Sequence, residues 1–198
     1  LYLFALRLAL ARGTQDSDTV RGYIRELLRL PELMEQVLAN SDQIQYLASQ
    51  FMNCDDLFYL GRGFDYALSL EGSLKLKEIS YIHSEAYAAG ELKHGTISLI
   101  VEGTPVVALA TQDNVFEKTI SNIKEVKSRG ARVILFAKEG VSVPLDVADY
   151  IVSLPHYEEL FMPMLTAVPL QLFAYYMAVL RGCDVDKPRN LAKSVTVE

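Results

Sequence analysis

Apolar residues follow one pattern in the first fifty residues and another pattern after them. Up to residue 51 they recur at helical spacing, which predicts helices at 1–12, at 18–29, from Pro31 to Ala39, and at 41–51. Beyond that point, short runs that are apolar throughout alternate with longer amphipathic stretches. These runs predict strands at 57–60, 105–110, 133–136 and 150–154, and the stretches predict helices at 66–80, 114–129 and 163–181.

Strands that are apolar throughout and separated by helices are typical of a parallel sheet covered on both faces. The sequence therefore predicts a three-layer, doubly wound α/β domain preceded by a helical arm. The segment 84–92, rich in Ala and Glu, is expected to form a turn and a short helix. Ligands in such sheets bind outside the carboxyl ends of the strands, where 61–65, 111–114 and the loop after Phe136 fall.

Composition narrows the functional classes. With 198 residues, 51% of them hydrophobic, the chain can form one domain with helical extensions. A net charge of −6 argues against a nucleic-acid surface, which needs clustered Lys and Arg. The two cysteines, Cys54 and Cys183, are too few for a disulfide scaffold, so a reduced, cytoplasmic protein is expected. No pair of histidines has metal-ligand spacing, and no metal site is expected.

The first thirteen residues are strongly apolar but do not have the features of a signal peptide or a membrane span. They contain no basic leading segment and no cleavage site, and Arg7 and Arg12 interrupt a stretch too short to cross a bilayer. A helix that is apolar on nearly all sides needs burial against another element. We therefore expect no membrane contact and interpret the chain as the C-terminal part of a longer protein.

Two glycines follow the first predicted strand, in Gly61-Arg62-Gly63. The third glycine of a dinucleotide-binding fingerprint is absent, so this signal for a nucleotide is weak. Two interpretations stay open: a tight turn from strand to helix, or close approach of the backbone to a ligand.

The next helix carries Glu71, Lys75 and Glu78 at spacings i, i+4 and i+7, which place all three on one face. Such a triple is either a solvated charge face or a proton-transfer group. The small and apolar flanking residues and the preceding turn favour the second interpretation. In that interpretation, buried carboxylates beside a lysine have shifted pKa values that suit acid–base work.

Two further residues are candidates for chemistry. His94 lies beside Glu91 and Lys93, which indicates a pocket edge or a subunit contact, although a single histidine is most often structural. Lys193 lies in a C-terminal tail that either frays or docks with the help of Pro188. A docked, desolvated lysine amine could form a Schiff base with a carbonyl sugar.

Three segments together resemble one family: 61–83, 85–95 and 183–198. They resemble the C-terminal part of the glucosamine-6-phosphate synthases, which are glutamine–fructose-6-phosphate aminotransferases, and the resemblance covers essentially the whole chain. It implies a sugar isomerase (SIS) domain at 51–182. The helical arm 1–50 would comprise the end of the preceding SIS domain, with 1–12 as its last helix, and linker helices. Residues 183–198 would form an active-site tail.

The resemblance implies conversion of fructose 6-phosphate and glutamine to glucosamine 6-phosphate and glutamate, without a cofactor. Lys193 would form an imine with the open-chain sugar, which Ala192 would contact. Glu78 would move the proton between C1 and C2, and Lys75 and Glu71 would support that transfer.

His94 is expected to assist ring opening in the active site of the neighbouring subunit of a homodimer. The partners that the resemblance implies are therefore the sugar phosphate, a second copy, and the N-terminal glutaminase and first SIS domain of the same protein. Neither of those two domains is in this chain, and neither Cys54 nor Cys183 is expected to serve as the glutaminase nucleophile.

The family's phosphate loop lies in the first SIS domain, and the equivalent loop here is 111–119. Asp113 and Glu117 would repel a phosphate, and Asn114 stands where a glycine would let the backbone approach an oxyanion. We expect a degenerate, non-binding copy, and we expect the chain alone to bind fructose 6-phosphate poorly and not to turn over glutamine.

Two other functions remain as alternatives, a regulatory sugar-phosphate-binding SIS module and a module that mainly builds a dimer. A sensor would keep the phosphate loop and would not need an imine-forming lysine, whereas this chain has the reverse combination. The apolar helix 163–181 suits a core and an interface equally well.

Overall fold

The computed structural model describes residues 1–191, and these form six α-helices and five strands. Three helices come first: α1 (Tyr2–Ala11), α2 (Ser17–Ala39) and α3 (Ser41–Phe51). The strands are β1 (Asp56–Gly61), β2 (His83–Ala88), β3 (Pro105–Ala110), β4 (Arg132–Lys138) and β5 (Tyr150–Leu154). The remaining helices are α4 (Phe64–Ser80), α5 (Phe116–Lys127) and α6 (Met162–Leu180), and three short 3-10 helices lie at Leu92–His94, Thr96–Leu99 and Asp113–Val115.

The five strands form one parallel sheet in the order β2-β1-β3-β4-β5. Successive residues of each central strand point to opposite faces, so that Tyr59 and Val107 join one buried cluster while Phe58 and Val106 join the other. Helices α2, α3, α4 and α6 contribute to the first cluster, whereas α5 and the segment 92–100 cover the second. The prediction of a doubly wound, three-layer α/β fold is confirmed.

The expectation of a turn and a short helix at 84–92 is wrong for its first part, because residues His83–Ala88 form strand β2. It lies at the edge of the sheet, paired with β1 in a register that sets Phe58 opposite Glu85. Most of its side chains are only partly buried, so the apolar run that marks a central strand is missing.

Helix α2 continues through Pro31, where the sequence predicted a break between two helices. An interior proline costs about 3 kcal/mol, since it removes a helical hydrogen bond and crowds the preceding turn. Leu30 and Leu33, on either side of it, are both buried in the core that includes α6. Burial of this face offsets the cost of the proline.

Helix α6 is long and apolar enough to cross a membrane by length and composition. Core helices of globular domains share that composition, and here Leu165, Phe173 and Met177 are fully buried against the sheet and its neighbouring helices. Tyr175 and Val179 lie on its exposed side. The helix therefore belongs to the core over most of its inner face.

Candidate active site

Helix α4 connects the two ends of the sheet. It begins beside the carboxyl end of β1 and ends where β2 begins, and its 17 residues span about 25 Å at 1.5 Å per residue. Its inward face consists largely of small residues, including Ser69, Gly72 and Ser73. A Cβ atom at Gly72 would lie 2.9 Å from the ring of Tyr59, which shows how closely the helix approaches the sheet.

The outer face of α4 brings Glu71, Lys75 and Glu78 together, as their spacing predicted. Lys75 Nζ lies 2.8 Å from Glu78 Oε2 and 3.8 Å from Glu71 Oε1. The expectation of buried carboxylates is wrong, because the side chains of Glu71 and Glu78 are 42% and 27% exposed. The hydrogen bond to Glu78, opposed by partial burial and aided by both carboxylate charges, raises the pKa of Lys75. Lys75 is therefore an ammonium donor and not a base at neutral pH.

Glu78 also lines a groove of about 210 Å³ together with residues from the C-terminal tail. The other groove residues are Lys77, Tyr81, Arg189, Asn190 and Leu191. The tail thus returns to the end of α4, although its sequence lies more than a hundred residues away. Ala192 and Lys193, the predicted substrate contact and imine-forming residue, lie outside the described residues.

His94 is on a different part of the molecule. It follows β2 on the carboxyl side of the sheet, whereas Glu78 lies near the amino-terminal side, close to the start of β2. The His94 side chain is 64% exposed, and its ion-pair partner in the described part of the chain is Glu91, with 3.9 Å between Nε2 and Oε2. One chain therefore does not bring His94 to the acid–base cluster.

At the carboxyl end of β1, both glycines of Gly61-Arg62-Gly63 serve the turn. A Cβ atom at Gly61 would lie 2.4 Å from the Asp65 backbone, and Gly63 has a φ of 55°. This geometry agrees with the first of the two interpretations, a tight connection from strand to helix.

In the loop after β3, Thr111, Gln112 and Asp113 donate hydrogen bonds to other parts of the protein. The backbone N–H of Thr111 and its hydroxyl donate to the two carboxylate oxygens of Asp65, at 2.7 and 2.6 Å. Gln112 Nε2 donates to the carbonyl of Arg62 at 2.7 Å, and the N–H of Asp113 donates to Glu159 at 2.8 Å. Burial raises the pKa of Asp65, against the opposing effect of hydrogen bonds from Thr111 and Gln112.

The surroundings of Cys54 make its thiol weakly acidic. Burial raises the pKa of Cys54 to about 11, which makes its thiol a poor nucleophile at neutral pH. Across residues 1–191, no group of three or more His, Cys, Asp or Glu side chains is arranged to hold a metal ion.

Sequence analysis did not identify Asp65, Tyr81 or Arg189 as site residues. Asp65 lies in the first turn of a helix that follows a glycine turn, a position where acidic residues are common for local reasons. Tyr81 and Arg189 carry no recognisable motif together, because their contact depends on the fold.

Comparison with known proteins gives consistent results. The sequence model of the family described as SIS domain matches residues 50–181. A glutamine–fructose-6-phosphate aminotransferase (isomerizing) of Caldanaerobacter subterraneus subsp. tengcongensis is 60% identical over 198 residues, which is 100% of this chain and 33% of the relative. The relative from Clostridium acetobutylicum with the same description is 52% identical with the same coverage. The chain thus spans about a third of the length of the curated relatives that it matches.

The fold also matches a solved structure described as the C-terminal domain of glucosamine-fructose-6-phosphate aminotransferase from Francisella tularensis. The TM-score is 0.90 at 36% identity, over 94% of this chain and 52% of that chain.

Proposed function

The chain belongs to the SIS domain family, and we propose that it is the sugar-isomerising part of a glutamine–fructose-6-phosphate aminotransferase. In this proposal, fructose 6-phosphate and glutamine-derived ammonia yield glucosamine 6-phosphate and water. The observation that carries the proposal is the shared groove, in which Glu78 lies beside the tail that leads to Lys193.

The first step is the formation of an imine on Lys193. Its neutral amine attacks C2 of the open-chain ketose, a C–N bond forms, and the carbonyl oxygen leaves as water. Ammonia then replaces the lysine nitrogen at C2, which releases the lysine amine and leaves a protonated sugar imine.

Glu78 then carries the proton between the two carbons. Its carboxylate takes a proton from C1, and the electron pair of that C–H bond moves into an enamine as the imine nitrogen becomes neutral. The resulting carboxylic acid returns the proton to C2. The C1 hydroxyl releases its proton to water, C1 becomes an aldehyde, and the amine remains on C2.

Lys75 and Glu71 act on this step through Glu78. The Lys75 ammonium donates to the Glu78 carboxylate at 2.8 Å, and Glu71 lies on the other side of the same ammonium. A hydrogen-bonded ammonium orients the carboxylate that abstracts the proton. Lys75 and Glu71 are positioning residues, and Glu78 is the base.

His94 would serve ring opening in the site of a second copy within a homodimer. His94 is exposed and lies near the carboxyl ends of the strands, whereas Glu78 lies near their amino ends. This placement supports a role of His94 outside its own chain. An imidazolium N–H can donate a proton to the ring oxygen of the sugar as the ring opens.

The phosphate of the substrate would be held by another domain of the longer protein. The donors of the 111–113 loop already bind Asp65 and Glu159, and both of these acceptors carry carboxylates that would repel a phosphate. On this basis the chain alone binds the sugar phosphate poorly and is inactive, and the ammonia comes from a glutaminase domain in the rest of the protein.

The test is made in the full-length protein with Glu78→Gln and Lys193→Ala, and with Glu125→Gln on α5 as the matched control. We expect each of the first two substitutions to abolish synthesis of glucosamine 6-phosphate and the control to retain it, with the dimer mass unchanged in all three. Retained activity in Glu78→Gln and Lys193→Ala would instead favour a binding or dimerisation module.

A further inference from the structure

Tyr81 makes two separate contacts with one residue of the C-terminal tail. Its hydroxyl oxygen accepts a hydrogen bond of 2.9 Å from the backbone N–H of Arg189. The guanidinium carbon of Arg189 lies 4.0 Å from the centroid of the Tyr81 ring, a cation–π contact. The backbone and the side chain of Arg189 are therefore both held by the same side chain at the end of α4.

The backbone of Tyr81 adopts an unusual conformation for an aromatic residue. Tyr81 ends α4 in the left-handed conformation, with a φ of 63° and a ψ of 15°. Glycine is the residue that this helix-end position favours, because a Cβ atom is disfavoured there. A bulky aromatic residue in this conformation indicates that its side chain has a function that outweighs the local strain.

The tail follows a defined path on both sides of this contact. The Asp184 carboxylate accepts hydrogen bonds of 3.0 Å from the backbone N–H groups of Asp186 and Lys187. After Arg189, Asn190 adopts a φ of 61° and turns the chain. The turn places Leu191 in the groove that Glu78 lines.

Lys193 follows Leu191 by two residues in the sequence. The two contacts of Tyr81 therefore restrain the chain shortly before the proposed imine-forming residue.

We propose that Tyr81 is a positioning residue, which holds the tail at Arg189 so that the Lys193 amine is presented beside Glu78. This inference rests on the proposed function, since it assigns Tyr81 a role only if Lys193 forms the imine. The ring sets the position of Arg189, and the hydroxyl sets the register of the backbone.

Three substitutions in the full-length protein separate these contributions. Tyr81→Gly removes both contacts and leaves a residue that prefers the left-handed conformation, so the end of α4 is not destabilised. Tyr81→Phe keeps the ring and removes the acceptor, and Arg189→Leu removes the cation. Tyr46→Phe and Arg21→Leu are controls of the same residue types on exposed parts of α3 and α2.

The readout is reductive trapping of the imine. Fructose 6-phosphate is added with borohydride, whose hydride adds to the imine carbon while the nitrogen takes a proton from water, and the tail peptide is then analysed by mass spectrometry for a sugar adduct on Lys193. We expect Tyr81→Gly to slow trapping and to lower kcat by at least about tenfold, as misplacement of a reacting group does. The KM for fructose 6-phosphate and the thermal midpoint should change little, and Tyr81→Phe and Arg189→Leu should have smaller effects in the same direction.

Each outcome is decisive. If the wild-type protein forms no adduct on Lys193, the proposed function fails, and the role of Tyr81 fails with it. If the wild-type protein is trapped and Tyr81→Gly is trapped equally fast with an unchanged kcat, only the positioning role is overturned. Should Tyr81→Gly prove unstable, equal trapping in Tyr81→Phe, Arg189→Leu and their controls would overturn it instead.

Discussion

Asp65 and Thr111 are joined by two hydrogen bonds, in which the N–H and the hydroxyl of Thr111 donate to the two oxygens of one buried carboxylate. The pair links the start of α4 to the end of β3, at the edge of the sheet where ligands of such folds bind. The carboxylate occupies the donors that an external anion would need. The Asp65 carboxylate therefore takes the place that an external anion would occupy at Thr111.

Removal of this carboxylate should destabilise the fold. Asp65→Ala leaves the two Thr111 donors without their acceptor, and each unsatisfied buried donor costs about 1–3 kcal/mol. Asp65→Asn keeps one acceptor oxygen for the N–H of Thr111, and its NH2 group can donate to the Thr111 hydroxyl, so we expect a smaller loss of about 1 kcal/mol. Urea denaturation of the 198-residue chain at neutral pH measures both, with Asp146→Ala in an exposed loop as the control. Equal free energies of unfolding for Asp65→Ala and the control would contradict this role.

The same carboxyl should make stability depend on pH in a defined direction. Burial raises the pKa of Asp65 above its ordinary 3.8. In the pH window between the unfolded and the native pKa, the native protein therefore keeps a proton that the unfolded chain has released. Its contribution to the free energy of unfolding is therefore greatest at low pH and falls as the pH rises through the native pKa. The amide that Asp65→Asn introduces does not titrate, so the stability of this variant relative to the wild type should increase over this window. If the free energy of unfolding of Asp65→Asn minus that of the wild type is constant or decreases with pH, the pKa of Asp65 is not raised.

The close approach of α4 to the sheet predicts opposite effects for two glycine substitutions. Gly72→Ala places a Cβ atom 2.9 Å from the buried ring of Tyr59, and overpacking of this kind costs about 1–3 kcal/mol. Gly22→Ala in α2 meets no atom within 4 Å, so the better helix propensity of Ala should stabilise the protein by about 0.5–1 kcal/mol. Thermal denaturation of both variants compares them directly. A Gly72→Ala protein as stable as Gly22→Ala would mean that α4 lies further from the sheet.

The closed carboxyl edge also predicts weak ligand binding. Calorimetric titration of the 198-residue chain with fructose 6-phosphate should give no heat that saturates in the micromolar range, because the donors of the loop after β3 are already bound within the protein. Micromolar binding by the isolated chain would contradict the proposal that another domain holds the phosphate.

The sequence predicted the fold best where the strands are buried. The central strands β1, β3 and β4 contain the uninterrupted apolar runs 57–60, 105–110 and 133–136, and the largely apolar run at 150–154 likewise marked β5. Strand β2 was missed, because an edge position leaves Glu85 and Tyr87 partly exposed and removes that pattern. A helix break was predicted at Pro31, because proline disfavours a helix interior. The helix continues there because Leu30 and Leu33 are buried by tertiary contacts, which local helix propensity does not describe.

In the candidate site, too, local contacts were predictable from the sequence and contacts that depend on the fold were not. The contact of Lys75 with Glu71 and Glu78 follows from helical spacing, and it was predictable. The exposure of the two carboxylates was not, because spacing does not reveal which face of a helix packs on the sheet. The contact of Tyr81 with Arg189 spans 108 residues of sequence and arises only when α6 returns the chain to the end of α4.

The most direct test of the account is the exchange of the C1 proton of the sugar in deuterated water, followed by NMR in the full-length protein. Glu78 is the proposed base, and its side chain is 27% exposed, so part of its protonated form should exchange with the solvent before the proton is returned. The wild type should therefore introduce deuterium during turnover, and Glu78→Gln should reduce the rate by at least about a hundredfold, within the range that general bases contribute. Imine trapping on Lys193 should persist in that variant. Exchange at the wild-type rate in Glu78→Gln, with trapping intact, would contradict the central claim that this face of α4 carries the proton.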